Sequence, residues 1–255
     1  MSHDVYKCKV ISKKEIAPNI IDVTVESKEI ASCAMAGQFL HVKCGDDISM
    51  PLRRPISICD AEGDKLRFIF EVKGRGTKNL LSLDDEIDIM GPLGTPFTID
   101  NDKYKNPAVI GGGIGTYPLF KLTKELDNPT VYLGFRSKAQ VTLEDEFNSI
   151  CDMTVVATDD GSYGYNGYAI DLLKGKIQND VVDIIYACGP KPMLKAIKEL
   201  AEANNIPCQI SLEERMGCGI GACLTCSCET KTEGTWKYKR VCKNGPVFWS
   251  TEVVL

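Results

Sequence analysis

Apolar residues in the first hundred positions recur at about every second place. Segments 19–26, 38–44 and 65–73 carry β-branched and aromatic side chains in near alternation, with Gly, Asp and Pro clusters between them. Period-two patterning broken by turn residues predicts strands, and strands in sequence predict an antiparallel barrel. The polar stretch Asp100-Asn-Asp-Lys-Tyr-Lys-Asn-Pro107 ends this rhythm. Beyond it, segments 108–111, 130–135, 155–158 and 181–188 read as strands and 117–126 has helical periodicity. Segment 142–147 opens with a capping-box pattern, and 190–203 places Met193, Leu194, Ile197 and Leu200 on one stripe of a helix that begins at a proline. Strands alternating with helices predict a parallel sheet covered on both faces. The expected fold class is multi-domain, β plus α/β, with regions 1–100, 101–210 and 211–255.

Composition narrows the function. The chain of 255 residues is longer than one average domain, and 44% hydrophobic with 25% charged residues is enough to build a sizeable core. A net charge of −5, with no dense basic block, argues against nucleic acid as a partner. No run approaches the ~18 consecutive apolar residues of a spanning helix, so a membrane is not expected. The stretch Met1-Ser-His-Asp-Val-Tyr-Lys lacks the apolar core of a signal peptide, so the twelve cysteines point to a reducing cytoplasm rather than to a secreted disulfide framework.

Four of those cysteines carry the strongest chemical signal. Cys218, Cys223 and Cys226 follow CxxxxCxxC spacing and Cys242 comes later, which is the plant-type [2Fe–2S] arrangement. Gly217, Gly219 and Gly221 let the loop turn tightly and bring amides toward the sulfurs. A disulfide pair and a zinc knuckle are the alternatives, but zinc favours paired short spacings or histidine pairs, and the chain has only His3 and His41. Cys228, two residues past Cys226, competes with Cys242 as fourth ligand on proximity. Cys8, Cys33, Cys44, Cys59, Cys151 and Cys208 read as small buried hydrophobes.

Further segments, two in the α/β region and one pair in the barrel, suggest nucleotides. Gly111-Gly-Gly-Ile-Gly115 follows a strand and precedes a helix, where amides and the helix dipole favour a pyrophosphate; glycines that merely permit close packing are the plainer alternative. The turn departs from GxGxxG at Thr116, and Arg136 stands where an acidic residue would select NAD. Cys188-Gly-Pro190 ends a late strand, where open α/β sheets bind ligands. In the barrel, Arg54-Pro-Ile-Ser57 precedes Gly74-Arg-Gly-Thr77; an arginine beside a glycine turn can clamp a diphosphate, and a surface arginine with a half-buried serine is the plainer alternative. A hydride carrier and a one-electron cluster in one chain call for a flavin between them.

The combination of Arg54-Pro-Ile-Ser57, Gly74-Arg-Gly-Thr77, Gly91-Pro-Leu-Gly94, Gly111-Gly-Gly-Ile-Gly115, Cys188-Gly-Pro190 and Glu214-Arg-Met-Gly-Cys-Gly-Ile-Gly-Ala-Cys223 resembles the ferredoxin-reductase superfamily. Its last motif, with Val241-Cys-Lys-Asn-Gly-Pro-Val-Phe248, resembles the electron-transfer subunits of dihydroorotate dehydrogenase B in particular. The resemblance implies an FAD-binding barrel, a Rossmann-like NAD domain and a small [2Fe–2S] domain. It also implies a partner subunit that holds FMN and oxidises dihydroorotate. By position it assigns Arg54, Pro55, Ile56, Ser57, Ile69, Phe70, Glu71, Gly76 and Thr77 to FAD, and Gly111, Gly112, Gly113, Gly115, Cys188, Gly189 and Pro190 to NAD(H). Cys218, Cys223, Cys226 and Cys242 fall to the cluster. A heterotetramer of two copies of each chain and a role in pyrimidine synthesis come with it. A related reductase subunit serving sulfide, hydrogenase or ferredoxin partners shares five of the six motifs, and a noncatalytic cluster carrier is the rival from outside the enzymes.

Overall fold

The computed structural model describes residues 4–45, 48, 50–232 and 235–255; His3 lies outside them. Strands β1 (Val5–Ala17), β2 (Ile20–Glu26), β3 (Phe39–Val42), β4 (Arg54–Glu62), β5 (Lys65–Glu71) and β6 (Glu86–Leu93) close into a barrel in the order β1-β2-β5-β4-β3-β6, every pair antiparallel. Short helices α1 (Lys28–Ala31) and α2 (Arg75–Leu80) sit between β2 and β3 and between β5 and β6. Alternation does what period two requires. Leu40, Val42, Phe68 and Phe70 fill the barrel, while Phe39 and Ile69, one position out of step, join apolar clusters outside it.

The remaining chain builds a second sheet. Strands β7 (Pro107–Gly112), β8 (Thr130–Phe135), β9 (Met153–Thr158), β10 (Tyr165–Asn166), β11 (Ile184–Cys188) and β12 (Cys208–Ser211) run parallel, in the order β10-β9-β8-β7-β11-β12. Helices α3 (Pro118–Glu125), α4 (Glu144–Asn148), α5 (Ala169–Asn179) and α6 (Lys191–Ala203) connect them. Both faces of β7 are buried: Ala108 and Ile110 belong to one cluster with α5 and α6, and Val109 to another with α3. This explains the unbroken apolar runs of its sequence. The order reverses between β7 and β11, which opens a crevice at their carboxyl ends.

After β12 the chain leaves the sheet, forms the hairpin β13 (Ser227–Thr232) and β14 (Thr235–Arg240), turns through α7 (Val241–Asn244), and returns as β15 (Val247–Trp249), antiparallel to β12. The cysteine-bearing segment is therefore anchored in the large sheet at both ends. The barrel is tied to the sheet by Arg67 of β5. Its guanidinium forks onto Asp22 of β2 at 3.0 and 2.7 Å and onto Glu146 of α4 at 2.5 and 3.0 Å.

Two expectations are corrected. Thr142 does not cap α4; Leu143, at φ 58°, occupies that position, and the Thr142 hydroxyl lies 3.1 Å from the Tyr117 hydroxyl in the interior. A buried phenol needs a polar partner, and this need outweighs the cap. Cys33 is exposed and Cys151 half-exposed, unlike Cys8, Cys44, Cys59 and Cys208, which are buried. Both thiols sit just past short helices and donate to the Glu29 and Phe147 carbonyls at 3.2 Å.

Candidate functional site

A cleft of about 830 Å³ opens where the barrel, the large sheet and the segment after β12 meet. Arg54, Pro55, Ile56 and Ser57 of β4, Ile69, Phe70 and Glu71 of β5, and Gly76 and Thr77 of α2 all line it. Ile56 and Phe70 border the cleft while also belonging to the apolar cluster of the barrel. The Arg54 guanidinium lies directly over the first turn of α2: a Cβ on Gly76 would come within 3.0 Å of its Nε. The guanidinium also donates to the Leu52 and Arg53 carbonyls, at 2.9 and 3.2 Å. First-turn amides of a helix lack a carbonyl one turn back, so Gly76 and Thr77 present donors beside a guanidinium. The Thr77 hydroxyl is occupied: it accepts from the Lys73 and Gly74 amides at 3.0 and 3.2 Å, and so holds the turn in shape. Adenine, ribitol and diphosphate need this mixture of apolar walls, half-buried hydroxyl and anion cradle, and the residues fit FAD.

Sequence patterns missed several walls of the cleft. Phe39, Tyr117, Ser211 and Leu212 line it too, as do Leu52 and Lys73 at the ends of the two candidate barrel segments and residues 213–216 ahead of the cysteine loop. Position at the carboxyl end of a parallel strand is the one signal that marks Ser211. Lys73 pairs with Glu71 at 2.8 Å at the mouth. Burial raises the Glu213 carboxyl above the usual carboxylate range, with Lys73 opposing and Glu71 adding to the rise. Cys188 also lines the cleft; burial, and then Glu213, push its thiol far up, so it stays protonated.

The glycine turn lies apart from this cleft, apart from Ile114 at its centre. Three of its glycines answer to packing. A Cβ on Gly115 would lie 2.6 Å from the Cys188 carbonyl and from the Gly189 amide nitrogen, one on Gly112 2.5 Å from the Met193 sulfur, and one on Gly111 2.8 Å from Thr116. Gly113 is different: its surroundings are open and its φ is +55°. The turn is thereby pressed against Cys188-Gly189 at the crevice between β7 and β11, and this close approach is what brings the two halves of the nucleotide signal together. At the next strand ends, the Asp159 amide donates to the Phe135 carbonyl at 3.0 Å and the Asp160 amide to the Arg136 carbonyl at 3.2 Å. Two acidic residues thus stand beside Arg136.

The four cysteines form two pairs. Cys218 Sγ accepts from the Ala222 and Cys223 amides at 3.2 and 3.4 Å, and Cys226 Sγ accepts from the Cys242 amide at 3.4 Å. Among the described residues the thiols are not closed into a metal-binding group of three or more. Amide donors aimed at sulfur are nevertheless what an iron-sulfur loop supplies. Gly219 at φ +73° and Gly221 at φ +82° require the freedom of glycine, the latter packed on Lys243. Hydrogen bonds, first from the Thr225 hydroxyl and then from its amide and from Cys218, draw the Cys223 thiol down to about 6. Burial, then the neighbouring Cys226, push Cys242 up to about 12; metal coordination deprotonates such a thiol outright. Cys228 is buried on β13, opposite Lys239, with no hydrogen bond to the other thiols among the described residues. A thiol set of this kind fits an iron-sulfur centre.

Residues 213–254 match the iron-sulfur cluster binding domain of dihydroorotate dehydrogenase B. The chain is 40% identical over 250 residues to the dihydroorotate dehydrogenase B (NAD(+)) electron transfer subunit of Caldanaerobacter subterraneus subsp. tengcongensis, covering 97% of this chain and 98% of that one. It is 42% identical over 255 residues to the subunit of the same name from Geobacillus thermodenitrificans, covering 96% and 97%. Among solved structures it superposes on an NADH-dependent reduced ferredoxin-NADP oxidoreductase chain with a TM-score of 0.86, at 30% identity, over 98% of this chain and 90% of that one. Phthalate dioxygenase reductase shares the fold, with a TM-score of 0.63 at 14% identity over 94% and 77% of the two chains. With near-complete coverage at this identity, and with barrel, switch-point sheet and thiol loop in the expected order, the chain belongs to the electron transfer subunits of dihydroorotate dehydrogenase B, a family of oxidoreductases that work with an iron-sulfur cluster, a flavin and NAD⁺.

Proposed function

We propose that this chain takes up electrons released when an FMN-containing partner subunit oxidises dihydroorotate to orotate, and delivers them to NAD⁺ in pyrimidine (UMP) synthesis. FAD in the cleft and a [2Fe–2S] centre on the cysteine loop supply, when bound, the exchange between two-electron and one-electron chemistry. The observation that carries this reading is the continuity of one segment. Residues 211–216 wall the flavin cleft and run directly into Cys218, so a single stretch of backbone joins the two redox sites.

Within this reading Arg54 neutralises the diphosphate, the amides of Gly76 and Thr77 orient it, and Ser57 reaches the flavin ring beside Cys188. Arg54, Pro55, Ile56, Ser57, Ile69, Phe70 and Glu71 position FAD. Gly111, Gly112, Gly113 and Gly115, with Cys188, Gly189 and Pro190, shape the NAD crevice. Their support is the shared cleft and the tight turn-to-turn packing. Asp159 and Asp160 favour NAD over NADP, since carboxylates accept from a ribose hydroxyl and repel a 2′-phosphate. Cys218, Cys223, Cys226 and Cys242 hold the cluster; the bond from the Cys242 amide to Cys226 Sγ supports Cys242 over Cys228 as the fourth ligand. A heterotetramer with two copies of each chain, in the cytoplasm, rests on the family resemblance. Among the described residues no helix is long and apolar enough to cross a membrane.

A second reading has its own support in the fit to the NADH-dependent ferredoxin-NADP oxidoreductase chain, in which the same electron carriers would serve a different partner. Anaerobic purification with counting of flavin, iron and zinc tests the carrier assignment. FAD and iron in the ratio of one flavin to one [2Fe–2S] centre, with flavin bleaching on NADH addition, is the expected result. A zinc-loaded chain without flavin contradicts it.

A further inference from the structure

One buried polar side chain near the redox sites has no part in the assignments above. His41 of β3 is 1% exposed, and among the described residues neither ring nitrogen has a hydrogen-bond partner of good geometry; the Arg53 backbone is near the ring without completing such a bond. Buried polar groups in folded proteins are satisfied as a rule, so an orphaned imidazole points to a ligand or group that completes it. Its direction is defined. Leu40 and Val42 face the barrel interior, which sends Phe39 and His41 out through the opposite face of the strand. There the ring meets the cysteine loop edge-on: a Cβ on Gly219 would lie 2.6 Å from His41 Nδ1 and 3.1 Å from Cε1. Gly219 follows Cys218 directly, and the loop can approach this closely only because it has no side chain there. Phe39, two residues away on the same face, walls the flavin cleft. One strand face therefore spans from the flavin to the cysteine loop, a step of about 7 Å at the usual rise per residue.

We propose that His41 is a positioning residue for the iron-sulfur centre, whose imidazole N–H donates a hydrogen bond toward the cluster or its loop and raises the reduction potential of the cluster. This rests on the cluster assignment made above. Burial, and then the Arg53 and Arg54 guanidiniums, lower the imidazole to about 4, against a smaller opposing effect of the Arg53 backbone. The ring is therefore neutral at pH 7, with one donor nitrogen and one acceptor. A donor aimed at an anionic iron-sulfur unit stabilises its reduced, more negative form, which is the recognised means by which protein groups tune such centres. No charge on the histidine is needed.

Two measurements on the purified full chain test the proposal. His41→Phe keeps a planar ring, somewhat larger, and removes the donor; His41→Gln keeps a donor. Redox titration followed by EPR should show the phenylalanine variant retaining flavin and iron, with electron sharing between cluster and FAD shifted about tenfold toward FAD, equivalent to about 59 mV for a one-electron couple. The glutamine variant should lie closer to the wild type. Unchanged potential and EPR line shape in His41→Phe overturn the proposal. If that variant fails to assemble, the wild type labelled with ¹⁵N-histidine decides. Pulsed EPR of its reduced cluster should show an imidazole nitrogen coupling that survives His3→Ala, and absence of that coupling overturns the proposal independently. Loss of the cluster EPR signal in wild type as well would instead overturn the cluster assignment beneath it.

Discussion

Gly115→Ala is the substitution whose consequence can be worked out most fully from the geometry. The added methyl carbon would lie 2.6 Å from the Cys188 carbonyl carbon and oxygen and from the Gly189 nitrogen, about 0.8 Å short of an ordinary 3.4 Å contact. All three are backbone atoms, so no rotamer change relieves the clash, and the glycine turn must move off the end of β11. Overpacking of this kind costs about 1–3 kcal/mol of stability. The functional cost is larger, because misplacing reacting groups by ~1 Å can lower a rate by roughly 100-fold. Stopped-flow reduction of bound FAD by NADH should therefore slow by roughly 10- to 100-fold, with FAD and iron contents unchanged. Gly113→Ala is the control. Its surroundings are open, and its φ of +55° costs about 1–2 kcal/mol locally without displacing Cys188. Equal behaviour of the two variants, or wild-type NADH kinetics in Gly115→Ala, would refute the claim that close packing of this turn shapes the nucleotide crevice.

Other substitutions separate the remaining roles. Cys242→Ser should abolish the cluster EPR signal and Cys228→Ser should keep it; the reverse outcome assigns the fourth ligand to β13. Arg54→Ala should weaken FAD retention by roughly 10- to 100-fold in a dialysis assay, the loss of one charge-assisted contact, and unchanged affinity removes Arg54 from the diphosphate. Arg67→Met leaves Asp22, 3% exposed, as an unpaired buried carboxylate. Thermal unfolding should report a loss of about 3–5 kcal/mol, while a neutral result would show that the clasp between barrel and sheet does not contribute to stability.

The barrel strands β2, β3 and β5 and the strands of the large sheet are legible because each buries a patterned face. β1 is less so: thirteen residues long, it buries only Cys8 fully, and its lysines mask the alternation. The hairpin β13–β14 is too polar to be announced by apolar pattern, and β15 is short and follows a proline. Local reading also fails where tertiary demand decides. Thr142 looks like a cap until Tyr117 needs its hydroxyl. Gly111, Gly112 and Gly115 of the nucleotide turn also answer to packing against Thr116, Met193 and Cys188, a demand that no local pattern shows. Cysteine spacing made the loop visible because a cluster-binding loop needs its thiols at fixed local intervals. His41 left no such trace, since its contact lies with Gly219, far along the chain, and a single histidine in a strand has no period.

The central claim is that this chain links dihydroorotate oxidation in a partner to NAD⁺. The most direct test is anaerobic co-purification with the FMN-type dihydroorotate oxidising subunit, followed by measurement of dihydroorotate-driven NAD⁺ reduction by each chain alone and by the complex. Turnover that requires both chains, and is lost in Cys223→Ser while NADH still reduces bound FAD, is the predicted result. A chain loaded with flavin and iron that NADH reduces but that supports no dihydroorotate-dependent NADH formation with that subunit would contradict the account.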